Sequence, residues 1–300
     1  MDRTPGLSLE GTVAIVTGAG AGLGRAEALA LAAAGADVVV NDVDPAAAAV
    51  VEEIERIGTK AVLVTGDVGE RATADALLAT ALERFGALHI VVNNAGVLRD
   101  RMLFSMSDEE WDLVVRVHLR GHFLLSRNAA AHWRQRSKQR GRPVHGRIVN
   151  STSEAFLLGS VGQPNYAAAK GGIAALTVSS ARALRRYGVT VNAICPRART
   201  AMTAEVFGPP PTDGPDPLSP DQVAPFVAYL ASPAAGSISG QVFVVHSGVV
   251  ALLAPPTVER RFDATGDLWT AADLDAQVGA FFADRDPERT FASTDVLDLP

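Results

Sequence analysis

The sequence predicts an α/β fold: a Rossmann-like, doubly wound, seven-stranded parallel sheet forming a single domain with a C-terminal extension. Three observations predict it. Short β-branched runs alternate with Ala- and Leu-rich stretches of helical length, and strands that alternate with helices pair in parallel through right-handed crossovers. The strand segments are continuous apolar runs, as burial of both sheet faces requires. A glycine-rich turn joins the first run to the first helix, at the carboxyl end of a strand, where open α/β sheets hold ligands.

The expected strands are Thr12–Thr17, Asp37–Asn41, Lys60–Val64, Leu88–Val92, Gly146–Ser151, Val189–Ile194 and Gln241–Val245, with helices such as Leu23–Ala34, Pro45–Ile57 and Arg71–Phe85 between them. The nucleotide-binding and catalytic domain is expected over residues 8–250, and the extension over 251–300. Residues 208–220 carry six prolines, a density that forbids helix or central strand. This loop is either a surface excursion or a lid over a ligand; its place beyond the sixth strand favours the lid. In the extension, Thr270 is placed to cap a short helix through Ala283 with Leu274, Val278, Phe281 and Phe282 on one side. That segment is either an appendage on its own domain or an arm to a neighbouring subunit.

Composition narrows the function classes. The chain has 300 residues, 48% of them hydrophobic, and a net charge of -6. It offers no general attraction to nucleic acid or anionic lipid, and its apolar runs are too short to span a bilayer. The one cysteine, Cys195, forms no internal disulfide, and no Cys/His spacing points to a metal site. A reducing cytoplasm is the expected location. The polar start, Met1 to Pro5, lacks the apolar stretch of a signal peptide. The basic run Arg134 to Arg142 reads as a solvated helix end, with a phosphate-binding patch as the lesser reading.

The first strand ends in Thr17-Gly18-Ala19-Gly20-Ala21-Gly22-Leu23-Gly24. Its glycines reach φ > 0 and admit a pyrophosphate close to the backbone. The helix that follows presents free N–H groups and a positive dipole end to the same phosphate. Gly18, Gly22, Leu23 and Gly24 are therefore candidate dinucleotide contacts. Asp42 ends the second strand about twenty residues on, where a carboxylate accepts the adenosine ribose hydroxyls and repels a 2′-phosphate. No Lys or Arg lies within the turn or beside Asp42, so NAD is favoured over NADP. The alternative for Asp42 is a solvated turn residue ahead of Asp44-Pro45.

These residues, taken with Asp67-Val68, Asn93-Asn94-Ala95-Gly96, Ser153 and Tyr166-x-x-x-Lys170, resemble the short-chain dehydrogenase/reductase family over nearly all of residues 8–250. The resemblance implies that Asp67 and Val68 contact the adenine ring. It implies that Asn94, Ala95 and Gly96 line the cofactor, and that Pro196, Ala198 and Thr200 sit by the nicotinamide carboxamide. Ser153, Tyr166 and Lys170 are the implied catalytic set. Gly96 to Phe104, Val117 to Phe123 and Cys195 to Thr203 look like one branch. It holds the dehydrogenase part of multifunctional enzyme type 2 (17β-hydroxysteroid dehydrogenase type 4) and actinobacterial enzymes acting on 3-hydroxyacyl-CoA or steroid alcohols. A homodimer or homotetramer through the helices near 119–138 and 164–187 is also implied.

Chemically, Tyr166 and Lys170 are i and i+4 and share a helix face. An ammonium nearby favours the phenolate and lowers its pKa, which fits Tyr166 as proton acceptor from an alcohol; Ser153 would stabilise the substrate oxygen. His118 stands where the family usually has an asparagine; it is a candidate for the proton relay behind Lys170 or a packed core histidine. Arg197 and Arg199 read as ion-paired residues or as contacts for a CoA phosphate. Three functions compete: an NAD-dependent hydroxyacyl-CoA or hydroxysteroid dehydrogenase, an NADPH-dependent 3-oxoacyl-thioester reductase, and a catalytically silent NAD-binding sensor or scaffold. Asp42 opposes the second, and the intact catalytic set opposes the third.

Overall fold

Alternation within the first strands sets the architecture. In Val13–Thr17 (β1) and Asp37–Asp42 (β2), Ala14, Val16, Val38 and Val40 face one apolar layer, and Val13, Ile15 and Val39 face the other. A strand buried on both faces sits in the middle of a three-layer sandwich. The computed structural model describes residues 6–286 and 289–299; the polar start read above, Met1 to Pro5, lies outside them.

After β1 come helix α1 (Gly22–Ala33), β2, α2 (Ala48–Ile57), β3 (Ala61–Thr65), α3 (Arg71–Phe85) and β4 (Ile90–Asn93). The second half holds α4 (Asp108–Val115), α5 (Gly121–Arg140), β5 (Gly146–Ser151), the single turn α6 (Ala155–Leu158), α7 (Pro164–Leu184) and β6 (Val189–Pro196). The short α8 (Ala204–Phe207), α9 (Ala224–Ala231), β7 (Val242–His246) and β8 (Val249–Leu252) complete it. Strand order is β3-β2-β1-β4-β5-β6-β7-β8. The order reverses between β1 and β4, which opens a crevice at their carboxyl ends. One layer gathers Leu31, Ile54, Val227 and Leu230. The other gathers Leu77, Leu125, Trp133 and Ile148.

The sheet departs from the expected seven parallel strands in one respect. β8 pairs antiparallel with β7 through a tight turn, Val245 opposite Val250. Its side chains alternate between half-buried and exposed, so the segment lacks the continuous burial by which the other strands were recognised. The described residues fall into two compact units, one ending at Leu252 and one beginning at Leu253. Within the second, Thr270 and Asp273 form a capping box at the start of Ala271–Leu274 (α10), and a wide turn, Asp275–Gly279, leads into α11 (Ala280–Ala283). Among the described residues no helix is long and apolar enough to cross a membrane.

Candidate active site

The glycine turn places an uncapped helix end at the crevice. Ala21, the residue before α1, makes no side-chain cap, so the first-turn amides of α1 keep their donors free. The preceding amides are already used: Ala19 N–H donates to the Asn41 carbonyl and Gly20 N–H to Asp42 Oδ2 at 2.9 Å. Gly18 has φ of 62° and lies so near Ala95 that a Cβ would come within 2.8 Å of its Cα. Gly24 is absent from the crevice wall; a Cβ there would overlap the Gly18 carbonyl and the Asn94 amide. The absence of a side chain there lets α1 pack closely under the turn.

A cavity of about 440 Å³ opens over this turn. Gly18, Gly22, Leu23, Asp42, Asp67 and Val68 line one end, and Ser153, Tyr166, Lys170, Pro196, Ala198 and Thr200 the other. Asn94, Ala95, Gly96 and His118 lie between them. Sixteen of the seventeen residues singled out from sequence thus face one space, Gly24 being the exception. Asp67 is fixed by both oxygens, accepting from Gly69 N–H at 2.7 Å and from Arg116 at 2.8 Å. Asn94 Nδ2 donates to the Thr17 carbonyl at 3.1 Å and so joins β4 to β1. The proline-rich loop differs from expectation: no residue of 208–220 borders the cavity, and Ala201, Met202 and Thr203 do. Arg199, between the lining residues Ala198 and Thr200, ties that loop beside the cavity wall, pairing with Asp216 at 2.9 Å and donating to the Phe207 carbonyl.

At the far end, Tyr166 and Lys170 lie one turn apart on α7, below the end of β5. Lys170 is buried and donates from Nζ to the Ser151 carbonyl at 2.6 Å. Its ammonium lies 5.4 Å from the centre of the Tyr166 ring. Burial pushes the Tyr166 phenol up to about 12, although the neighbouring Ser153 hydroxyl favours its ionised form, and burial pushes Lys170 down to about 7. The downward pull expected of the ammonium on the phenol is therefore outweighed in this pocket. Desolvation disfavours the charged form of each group.

Helix α4 reaches this pocket through a widened turn, Arg116–Arg120. Such π-turns bulge one residue out of register and recur at functional sites. Here the bulge turns His118 inward, 1% exposed, with its ring edge-on to Tyr166 at 5.2 Å. His118 Nε2 lies 3.0 Å from Val97 N and 2.8 Å from Val97 O, while Nδ1 is buried without a partner. The missing Cβ of Gly96 makes room for the ring. Burial keeps His118 neutral, with Lys170 adding to the effect.

The short chain dehydrogenase family model matches residues 12–209. The chain belongs to the short-chain dehydrogenase family. It is an oxidoreductase acting on CH–OH groups. The dehydrogenase is 60% identical over 299 residues to hydroxyacyl-CoA dehydrogenase ChsB1 of Mycobacterium tuberculosis, covering 96% of this chain and 94% of that protein. It is 41% identical over 257 residues to peroxisomal multifunctional enzyme type 2 of Mus musculus, covering 82% of this chain but 33% of that longer protein. A crystal structure of a short chain dehydrogenase from Mycobacterium avium superimposes with a TM-score of 0.84 at 43% identity, over 93% of this chain and 97% of that one.

The ion-pair reading of Arg197 holds, with a partner and a burial that the sequence did not specify: Arg197 clasps Glu154 with two bonds of 2.8 Å, both side chains largely buried. This excludes the reading of Arg197 as an open phosphate contact, and Arg199 is likewise engaged with Asp216. Other features of this dehydrogenase were missed in the sequence. Glu27 is fully buried in α1 with both carboxyl oxygens unpartnered, and burial raises it to about 8. Its signal was visible: Leu23, Glu27 and Leu31 fall at i, i+4 and i+8, on one core-facing stripe. His122, one turn beyond His118, is buried, and burial takes it down to about 3.

Proposed function

We propose that this enzyme uses NAD to oxidise the secondary hydroxyl of a 3-hydroxyacyl-CoA, with 17β-hydroxysteroid-type alcohols as the related substrate class. The observation that carries the reading is the single cavity joining Asp42 to Tyr166. The cradle fits a dinucleotide. The free amides of α1 would take the pyrophosphate, Asp42 the adenosine ribose, and Asp67 and Val68 the adenine. Lys170 would hold the nicotinamide ribose, and the stretch from Pro196 through Ala198 and Thr200 the carboxamide. Asp42 supports NAD because a 2′-phosphate beside it would meet a carboxylate. The basic side chain nearest in sequence, Arg25, is tied to Glu53.

The bound nicotinamide supplies the hydride acceptor at its ring. Tyr166 takes the hydroxyl proton, and Ser153 holds the substrate oxygen through a hydrogen bond. Lys170 stands one turn below the phenol, and His118, kept neutral with a buried Nδ1 that lacks a partner among the described residues, is the candidate to accept a hydrogen bond in the relay behind it. Apolar side chains of the cavity wall, Val97, Leu113, Val117 and Met202, suit a long acyl chain or a steroid body. The 60% identity to a hydroxyacyl-CoA dehydrogenase favours the thioester.

The test is NADH formation with panels of 3-hydroxyacyl-CoA thioesters and steroid alcohols, with NADP in parallel. Turnover on the thioesters with NAD is expected. Preference for NADPH-dependent reduction would establish the reductase reading instead, and NAD binding without turnover on any alcohol would establish the sensor. We further propose a cytoplasmic homo-oligomer packed through α5 and α7, where Phe123 and Val178 are exposed. A monomer in gel filtration would contradict the assembly.

A further inference from the structure

A second cavity, of about 260 Å³, lies at the opposite end of the sheet from the catalytic residues. His89 immediately precedes β4 and His145 immediately precedes β5, so the cavity sits at the amino ends of these strands. Its walls also carry His132, Arg136 and Arg140 of α5, over an apolar floor that includes Trp133. No carboxylate borders it, and among the described residues neither arginine forms a salt bridge. Five basic or potentially basic groups thus converge on one hollow in a chain whose net charge is -6.

The arrangement costs stability unless something neutralises it. His132, Arg136 and Arg140 stand at i, i+4 and i+8 on one helix stripe, and like charges at that spacing repel. The helix end explains only Arg140, the last residue of α5, because the dipole effect fades beyond the last turn. The histidines are also oriented. His89 Nδ1 accepts from the Val13 N–H at 3.1 Å, which leaves its Nε2–H as an outward donor. His145 Nε2 donates to the Ala231 carbonyl at 3.1 Å, which leaves its Nδ1 to take up a proton. Their rings lie 6.3 Å apart. The indole N–H of Trp133 is used by the Leu88 carbonyl at 2.7 Å and fixes the floor.

We propose that this cavity binds a small dianionic oxyanion, a phosphate or phosphomonoester, held by Arg136 and Arg140 and by the three histidines. Guanidinium pairs match such an oxyanion in geometry and charge, and the volume, several times a water's ~30 Å³, admits one. Binding is coupled to proton uptake. All three histidines are held below their usual value, by burial first and then by neighbouring positive charge. Arg140 and His132 act on His89, Arg136 acts on His132, and Arg147 and His89 act on His145. An anion among them cancels that field and raises His132 and His145, while His89, whose Nδ1 accepts from the Val13 N–H, serves as a neutral donor, so affinity increases as pH falls.

Sulfate is the probe, because its charge is constant between pH 6 and pH 8. Calorimetric titration of the intact enzyme should give a dissociation constant about tenfold lower at pH 6 than at pH 8, the equivalent of about half a proton taken up on average across that range. The double variant Arg136→Ala/Arg140→Ala should lose sulfate binding while keeping its NADH affinity, since both positions are exposed and lie away from the crevice. Displacement of sulfate by glycerol phosphate identifies a phosphomonoester as the ligand; displacement by inorganic phosphate alone identifies the free ion. Absence of sulfate binding at pH 6, binding retained by the double variant, or affinity indifferent to pH would each overturn the proposal. Because sulfate binding is read without turnover, these results stand apart from the NAD and substrate assignments.

Discussion

The two ends of the crevice are built from different materials. At the Asp42 end the work falls to backbone: an uncapped helix, two committed amides and carboxylates whose oxygens already have partners. At the Tyr166 end, buried side chains do it, and several lack partners among the described residues: Nδ1 of His118, Nε2 of His122, Oγ of Ser151 and, in α1, both oxygens of Glu27. At the first end both carboxylates are engaged, and among the described residues only Oδ1 of Asn41 lacks a partner in that part of the wall. The second holds a phenol pushed up, an ammonium pushed down and a carboxyl pushed up. Such clusters of desolvated titratable groups mark sites where protons are moved. Substitutions at the catalytic end should therefore alter rates and pH dependence, and substitutions at the nucleotide end should alter binding.

The largest effect is expected at Tyr166. Tyr166→Phe removes the proton acceptor and should lower kcat by about 10²–10⁴, with NADH affinity in a fluorescence titration little changed. In the wild type, a phenol raised to about 12 means that alcohol oxidation should accelerate as pH rises, while ketone reduction, which uses the protonated phenol, should stay nearly flat below that value. A kcat equal to wild type in the variant would remove residue 166 from the chemistry.

Glu27→Gln comes next and sharpens the contrast from the side of stability. An acid whose folded pKa is raised from 4.5 to about 8 holds its proton when folded and releases it when unfolded. The unfolded state then binds fewer protons between those values, so stability is lost as pH rises through that window. The cost at pH 7 is on the order of 3 kcal/mol. The variant should melt several degrees higher at pH 8 and show no such gain at pH 4. Equal pH dependence in both proteins would mean that the buried carboxyl is relieved in solution by a partner.

How much of this was legible differs between the ends for the same reason. The glycine turn, Asp42 and the Tyr166–Lys170 pair are encoded by local spacing, and local spacing survives folding. The catalytic geometry that depends on packing was not readable. The direction of the Tyr166 shift is decided by how deeply the ring is buried, which no spacing reports. The π-turn that turns His118 inward arises where α4 meets α5, and it carries no proline or glycine signature except Gly121 at its end. Composition locates the loop at 208–220 but not the Arg199–Asp216 pair that anchors it beside the cavity wall. The eighth strand was missed because an antiparallel edge strand is half exposed and short.

A smaller effect is expected where the catalytic end is braced. Glu154 follows Ser153 and Arg197 follows Pro196, so their ion pair links the catalytic serine to the cavity wall beside it. Arg197→Met leaves a mostly buried carboxylate with fewer hydrogen bonds, a loss of ~1–3 kcal/mol that should appear as a lower Tm. Restoration by Arg197→Lys should be partial, because an ammonium cannot reproduce the two parallel bonds.

The smallest effect is expected at Asp42, and it tests the backbone end alone. The carboxylate does two things there: it accepts the Gly20 and Asp44 amides and, in the proposed complex, the ribose hydroxyls. Asp42→Ala removes both, whereas Asp42→Asn keeps an acceptor oxygen but removes the charge. If repulsion of the 2′-phosphate sets cofactor choice, both variants should lower the NAD over NADP ratio of kcat/KM by about tenfold, roughly 1.4 kcal/mol. If the hydrogen bonds to the turn set it, only the alanine variant should change, and it should weaken both cofactors together. In either case kcat with saturating NAD should stay near wild type, because residue 42 lies at the far end of the crevice from the reacting carbon. A fall in kcat comparable to that of Tyr166→Phe would mean that the two ends are one coupled unit.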